Sequence, residues 1–461
     1  MQSRDCPSSI FTRRECDSAR SVVRNTLESV GLTTIWGFRC SQKAGKPSAT
    51  FGKVPASGRP SVRVLRLRVP RLLLGAQTLS EVGDWAARGA LQVLIFERTH
   101  SPVWSALVAA ASLAPWVGIG QFLAASLERF EKRSVMIFSD VFRGALFSCL
   151  VVRTPPWLTI VLLFVAGLAT PAFEANRSAL LRRNTPDELY PSAISIANVV
   201  VQSSLVLGYA AGGWAVATVG ATWAIAADAA SFGLSALLLV RLPASEPSRL
   251  SARQALSEGA LLFVRDSILR WTMLLACTAG AMTVAVEAVA APYVLGHLRL
   301  RGGWVGVSLA SIPVGTLLAS TVVPYGVGAR RQLRRASLAS LGAAIAALIL
   351  FTLDRGEPVM LLSFAAAGAM LGCLVPCNAV LGSRIPLEVQ GTAFAVAQGV
   401  LMAAQGSGAL AGGLVAEFVG ARGACLTAAG VTASCAVLLA LKPPQPSAFR
   451  QTLVVRTVSP Q

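Results

Sequence analysis

Charge is what this 461-residue chain has little of: Asp, Glu, Lys and Arg make up 14% of it, against roughly 25% in soluble globular proteins. Acidic residues are the scarcer kind, 22 against 41 basic ones. Long charge-poor runs cannot all be buried in a water-soluble core of this size, which excludes an ordinary soluble domain. Histidine occurs twice, as His100 and His297. Of the nine cysteines, Cys6, Cys16 and Cys40 lie in a polar N-terminal stretch, and six fall in apolar segments. There they serve as small hydrophobes rather than a disulfide framework. Cys373 and Cys377 share a helix face with no histidine nearby, so no metal site is expected. The sequence holds no clustered nucleophile, base and metal set of the kind an enzyme needs. It also lacks a Gly-x-x-x-x-Gly-Lys-Ser/Thr loop, so ATP does not power it through this chain, and no cofactor is expected.

The net charge of +19 raises nucleic acid as a partner, but its placement argues otherwise. The basic residues fall in the N-terminal tail and in alternate loops, without the aromatics that would stack on bases. They read instead as topology signals and contacts with anionic lipid headgroups. Arginine far outnumbers lysine, which beside so much Ala and Gly suggests a GC-rich bacterial genome, hence an inner (plasma) membrane.

Hydrophobic residues supply 54% of the chain, and a further 40 residues are Gly, which lets helices approach closely in a bilayer. Residues 1–69 are polar and basic, contain no signal-peptide core, and read as a disordered cytoplasmic tail. Apolar segments of spanning length follow at about 71–96, 103–127, 135–152, 156–180, 190–219 and 221–241, then 268–296, 303–325, 336–353, 358–382, 391–419 and 421–441. The expected fold is an all-α polytopic membrane protein of about twelve helices. Two six-helix bundles, 70–241 and 268–441, are joined by a cytoplasmic linker at 242–267 and followed by a cytoplasmic tail at 442–461. One set of loops carries Arg129, Lys132 and Arg133, then Arg182 and Arg183, then Arg241 to Arg270, then Arg330 to Arg335; the alternate set is shorter and poorer in charge. The positive-inside rule places the basic set and both termini in the cytoplasm.

The halves repeat at an offset of 200 residues. Ala211-Gly212-Gly213 recurs as Ala411-Gly412-Gly413, Val219-Gly220-Ala221 as Val419-Gly420-Ala421, and Pro186 with Glu188 as Pro386 with Glu388. Parallel repeats of this kind suit a transporter with its site at the midplane between two bundles.

The loop after the second segment reads Ala124-Ala125-Ser126-Leu127-Glu128-Arg129-Phe130-Glu131-Lys132-Arg133. Elsewhere stand Ser80-Glu81-Val82-Gly83-Asp84-Trp85, Ser139-Asp140 with Arg143, Pro171-Ala172-Phe173-Glu174 through Arg177, and Asp228-Ala229-Ala230-Ser231-Phe232. Over about 70–441 these residues resemble the major facilitator superfamily, and within it the drug and siderophore exporter branch. The loop is similar to the family's cytoplasmic signature, with Ala124 for its Gly and Glu131 for its Gly or Pro. Gly208-Tyr209-Ala210-Ala211-Gly212-Gly213 resembles the Gly-Pro-x-x-Gly-Gly antiporter signature, with Tyr209 in place of Pro. The resemblance implies a proton-coupled exporter of small amphipathic molecules working by alternating access. It also implies that Gly208, Gly212 and Gly213, with Gly408, Gly412 and Gly413 in the repeat, pack helices closely, the first three against the eighth segment.

Ionisable groups at bilayer depth cost about 2.5–3.5 kcal/mol at a helix centre, so they mark cavities, partners or proton sites. Glu81, Asp84 and Arg88 share a helix face in the first segment and are candidates for substrate or proton coupling. Asp84 is the first choice as coupling carboxylate, with Glu287 of the seventh segment next if Arg88 holds Asp84 ionised. Asp140 with Arg143 and Glu174 with Arg177 repeat an i,i+3 pairing at the depth of Glu128. With Arg129, Lys132 and Arg133 they form a candidate cytoplasmic gate, the alternative being snorkelling at the interface. The expected partners are a small-molecule substrate, protons and the lipid bilayer, with the chain a monomer and no nucleic acid bound. An importer or uniporter of the same fold, or a membrane sensor or scaffold, stay as alternatives.

Overall fold

The computed structural model describes residues 60–127, 129–244, 262–264, 266–322, 328–354, 356–385 and 387–441. The N-terminal tail up to residue 59, Glu128, most of the linker and the tail from 442 lie outside the described residues. Every regular element among the described residues is helical.

The first span is Arg68–Thr99; at 32 residues it is long enough to cross, but it carries Glu81, Asp84 and Arg88 along its middle. The second, Pro102–Trp116 with Ile119–Leu127, bends by 43°. Its break centres on Gly118, at φ +75°, just after Pro115, a conformation that glycine takes without the Cβ penalty. The third to sixth spans are Lys132–Val151, Pro156–Arg183, Tyr190–Thr218 and Ala221–Val240. The seventh, Ser267–Ala288, is capped by Asp266, whose carboxylate accepts from the amides of Ile268 and Leu269, and runs on through a π-helical turn, Pro292–His297. The eighth to tenth are Gly303–Val322, Ala329–Leu353 and Gly356–Arg384. Leu387–Leu441 holds the eleventh and twelfth spans, divided at Gly420. Counted this way the described residues hold twelve helical spans; nine helices, or ten with the bent second one, are by themselves long and apolar enough to cross a membrane, Arg68–Thr99 not among them and Ala393–Leu441 counting as one.

One boundary differs from the sequence reading. Arg330, Arg331, Arg334 and Arg335 belong to the opening turns of Ala329–Leu353 and not to a loop. Long cationic side chains can reach the interface from inside a helix, so hydropathy alone starts that helix too late.

The 200-residue repeat is a repeat in space. Gly220 and Gly420 both take positive φ, +97° and +77°, at the joints between the fifth and sixth and between the eleventh and twelfth spans. A Cβ at Gly212 would lie 2.5 Å from the Ala86 carbonyl oxygen, and one at Gly412 2.8 Å from that of Ala285. Gly213 meets Gly303 and Gly306 across the halves, whereas Gly413 meets Val103 and Ala106. Each contact is its counterpart displaced by about 200 residues, so the fifth span seats on the eighth as the eleventh seats on the second. Such approaches bring backbone to backbone and gain dispersion where lipid offers no hydrophobic drive.

These inter-half contacts lie toward the end that holds Thr99, Pro102, Thr218 and Gly303, here called the closed end. Ser101 Oγ donates to Glu417 there at 3.2 Å, and Ser105 Oγ to the Ala288 carbonyl at 3.3 Å. At the other, basic end, Ile119–Leu127 packs on Thr170–Arg183 and Leu374–Arg384 on Ala329–Leu353, each within its own half. Among the described residues, the close contacts between the halves thus gather toward one end.

A clamp at the closed end joins three spans of the second half. Asp354 follows the ninth span at φ +44°, Tyr293 Oη donates to its Oδ1 at 2.7 Å, and His297 Nε2 lies 2.5 Å from its Oδ2. Arg422 stands 3.7 Å from that oxygen and donates to the Phe351 and Thr352 carbonyls. Partial burial pushes the Asp354 carboxyl up, but the bonds from His297 and Tyr293 and the nearby charges outweigh it and leave it below the usual range. A lowered folded-state pKa contributes stability above the unfolded value, and that stability is lost as pH falls through the folded one. Asp354→Ala is therefore expected to cost about 1–3 kcal/mol at neutral pH. In detergent melts the gap between variant and wild type should close as the medium is acidified. A gap independent of pH would show that the carboxylate charge contributes nothing.

Candidate functional site

The first span arrays Gln77, Glu81, Asp84, Trp85 and Arg88 at helical spacing, and the structure divides this face between two sets of partners. Toward the basic end, Gln77 Nε2 donates to Glu81 Oε1 at 2.7 Å while Arg177 donates to Gln77 Oε1 at 2.8 Å. Arg177 also grips Glu174, its closest contact being 2.5 Å. Glu81 Oε2 is buried with no hydrogen-bond partner among the described residues. Closer to the middle, Arg88 donates to both oxygens of Asp84, at 3.1 and 2.7 Å. The shared face is therefore split: Asp84 and Arg88 form a two-point ion pair, and Glu81 joins the fourth span through Gln77.

The cation of that pair lies 4.6 Å from the centre of the Trp85 ring, and Trp85 meets Tyr209 edge to face at 5.4 Å. Tyr209 in turn donates its hydroxyl proton to Glu287 across the two halves. Arg88 lies within electrostatic reach of both Tyr209 and Glu287. Asp84, Arg88, Tyr209 and Glu287 thus form one polar cluster joining the first, fifth and seventh spans. Close packing makes it possible, since Gly89 lies under the Tyr209 ring and Gly208 under Trp85.

The other candidates fall elsewhere. Asp140 and Arg143 pair at 2.5 Å, and Ser235 of the sixth span donates to Asp140 at 2.6 Å. Asp140 has no exposed surface and Arg143 is 5% exposed, its cation lying between the Phe173 and Phe232 rings. This corrects the snorkelling alternative for the pair: it is enclosed within the first half and does not reach toward headgroups. Glu174 with Arg177 likewise ties the fourth span to the first. Both pairs are inter-helix links within the first half, Asp140 and Arg143 to the sixth span and Glu174 with Arg177 to the first. Arg129 lies over the Phe130 ring at 5.0 Å, Lys132 is half-buried, and Arg133 donates to the Leu242 carbonyl at 2.8 Å; Glu128 lies outside the described residues. Among the glycines, Gly213 alone of its group faces the eighth span, while Gly208 and Gly212 press on the first. The helical turn separates them, because residues one and five apart do not share a face. Gly408 and Gly412 press on the seventh span at Ala281 and Ala285.

Three features escape a reading by pattern. Tyr209 registers in sequence as a missing proline, yet its hydroxyl bonds across the halves to Glu287. Gln77 is uncharged and carries no motif, yet it links Glu81 to Arg177. Asn198 and Gln398, 200 residues apart, are exposed toward the basic end of the fifth and eleventh spans; amides at that depth suit an aqueous lining better than lipid. Their shared register was the available signal. A gap of about 10 Å³, scarcely room for one water molecule, is bordered by Asp84, Arg88 and Arg143 beside the ion pair inside the first half. Among the described residues, no group of three or more His, Cys, Asp or Glu side chains is placed to hold a metal ion.

A model of the Major Facilitator Superfamily matches residues 73–385. The chain is 24% identical over 370 residues to an uncharacterized MFS-type transporter, YfiS, of Bacillus subtilis, covering 76% of this chain and 87% of that protein. It is 26% identical over 403 residues to the multidrug efflux pump Tap of Mycobacterium tuberculosis, covering 81% and 93%. Among solved structures, a POT family transporter in complex with 5-aminolevulinic acid matches with a TM-score of 0.65 at 10% identity, over 81% of this chain and 96% of that one.

Proposed function

The chain belongs to the major facilitator superfamily, and from that premise we propose that it exports small amphipathic molecules from the cytoplasm in exchange for protons. Membership makes it a multi-pass membrane transporter of small molecules and not an enzyme; direction, cargo and coupling ion are the proposal. The observation that carries it is the cluster at the junction of the halves, where Tyr209 holds Glu287 beside the Asp84–Arg88 pair. Arg88 is committed to both oxygens of Asp84, whereas the described partner of Glu287 is a neutral hydroxyl. The exchangeable proton is therefore assigned to Glu287, the second choice of the sequence reading, and Asp84 holds the arginine. A proton on Glu287 removes its attraction to Arg88; losing it restores that attraction across the halves, which is a means of biasing one conformation over the other.

The basic end is assigned to the cytoplasm by the positive-inside rule, so the described conformation opens inward and Asn198 and Gln398 line the way in. The setting is a bacterial inner membrane, with both termini inside and one chain sufficient. The Tap relative supports outward drug movement. In inverted vesicles, a panel of cationic dyes and antibiotics is expected to accumulate inside and to leave when a protonophore is added. Accumulation that ignores the protonophore, or that occurs in right-side-out vesicles instead, would overturn the reading in favour of a facilitator or an importer. The topology has its own test. In intact cells Cys6, Cys16 and Cys40 should resist an impermeant thiol reagent and react after permeabilisation; labelling from outside would invert the assignment.

A further inference from the structure

Asp228 of the sixth span takes no part in the cluster just described, yet it is a carboxyl with no exposed surface at the centre of the first half. Ser231 Oγ donates to its Oδ1 at 3.1 Å. Its Oδ2 is buried with no hydrogen-bond partner among the described residues. The side chain rests on the backbone of the first span, where a Cβ at Gly83 would lie 2.5 Å from Asp228 Oδ1 and 2.4 Å from Ser231 Oγ. Gly83 thus lets two acids, Asp228 and its own neighbour Asp84, approach across two helices.

The ionisable groups facing Asp228 are Asp84 and Arg88 from the first span and Arg143 from the third; the fifth span offers Tyr209, committed to Glu287. Arg88 is bonded to Asp84 through two nitrogens, and Arg143 to Asp140 at 2.5 Å, with its own Nε buried and without a hydrogen-bond partner among the described residues. Both cations are already matched, so an ionised Asp228 would add an uncompensated charge. A neutral acid with one unpaired oxygen costs a few kcal/mol when buried, but an ionised one without a cation costs far more.

We propose that Asp228 is a second proton-carrying carboxyl, which passes its proton to Asp84 during the transport cycle. In that step the O–H bond of Asp228 breaks, its electron pair stays on Asp228, and the proton bonds to an Asp84 oxygen. Asp84 becomes neutral and releases Arg88, which is free to turn toward Glu287. Arg143, through that Nε–H, meets the new charge on Asp228. No further reactant is needed, and the net charge of the group is unchanged. The transport arm of this proposal rests on the proton-exchange reading above; the storage of a proton on Asp228 does not.

Infrared difference spectra of the full chain with Glu81→Gln and Glu287→Gln, recorded between neutral and alkaline pH, isolate the remaining protonated acid. A carboxylic-acid carbonyl band is expected at neutral pH, shifted by Ser231→Ala and lost with Asp228→Asn. Should Asp228→Asn fail to fold, the Ser231→Ala shift carries the assignment. No such band at neutral pH, or a band that the available variants leave unmoved, overturns the proposal. In proteoliposomes loaded with ethidium, Asp228→Asn is expected to lower the accumulation ratio about tenfold per pH unit of imposed gradient, one proton fewer per dye molecule. Undiminished accumulation overturns the transport arm. A wild-type chain that ignores the gradient sinks the proton-exchange reading instead, and the infrared band still decides whether Asp228 holds a proton.

Discussion

Glu287→Gln is expected to abolish accumulation against a gradient, taking the ratio reached per coupled proton from about ten per pH unit to one. The amide keeps the shape of the carboxyl and still accepts from Tyr209, so the fold and the bond between halves persist. What it loses is the change of charge that would draw Arg88 across the interface in one protonation state and release it in the other. Measured in proteoliposomes, dye should still equilibrate down its own gradient while an imposed ΔpH does nothing. Asp84→Asn should behave differently, because it strands Arg88 at bilayer depth without its anion; removing one partner of a buried ion pair costs about 3–5 kcal/mol. Lower yield and lower thermal stability are expected there, together with lost transport. If Glu287→Gln still concentrates dye in response to ΔpH while Asp84→Asn folds normally and does not, the two roles are the reverse of those assigned.

Gly306→Val is expected to slow turnover by about five- to 150-fold while leaving the folded protein intact. A Cβ at Gly306 would lie 2.3 Å from the Gly213 Cα and 2.5 Å from the Tyr209 carbonyl oxygen, and those backbone atoms have no rotamer by which to withdraw. Overpacking costs about 1–3 kcal/mol, or a factor of roughly five to 150 in the balance between closed and open. The strain has an escape that core strain lacks, since the halves can separate at this end without unfolding. Cysteines introduced by Ser101→Cys and Glu417→Cys, whose native side chains lie 3.2 Å apart, should cross-link readily in the parent and poorly in the Gly306→Val background. Gly368→Ala is the contrast: its Cβ would meet the Ile312 carbonyl oxygen at 1.9 Å within one half, where no such escape exists and stability should fall instead. Equal cross-linking in parent and variant would show that the Gly213–Gly306 contact does not control closure.

The crossings, their order and the two-fold repeat were legible because each depends on local composition: apolar length sets a span, basic residues set its ends, and a fixed offset survives in the spacing of Gly and Pro. The split of Glu81 from Asp84 was not legible, because it depends on Gln77 and on Arg177, 100 residues further on. Helical periodicity says which side chains share a face and nothing about which neighbour stands opposite. For the same reason Gly208 and Gly213 looked alike in sequence and face different helices. Tyr209 was hidden by comparison with a pattern, since a residue read as the absence of proline is not examined for what its hydroxyl reaches. The break at Gly118 was missed because hydropathy is blind to a φ angle.

Where the halves meet, at Gly213 with Gly303 and Gly306 and at Gly413 with Val103 and Ala106, the touching surfaces are largely backbone and small side chains. A joint of that kind behaves as a smooth bearing: tilting it slides one dispersion contact past another with few directional bonds to break. In the alternating-access motion proposed above, resistance beyond the bonds of Ser101, Ser105 and Tyr209 across the halves falls to the surrounding lipid, which must thin on one leaflet and fill on the other. Turnover in such a machine follows the stiffness of the bilayer, and the same protein would run at different speeds in fluid and in rigid membranes with its chemistry untouched.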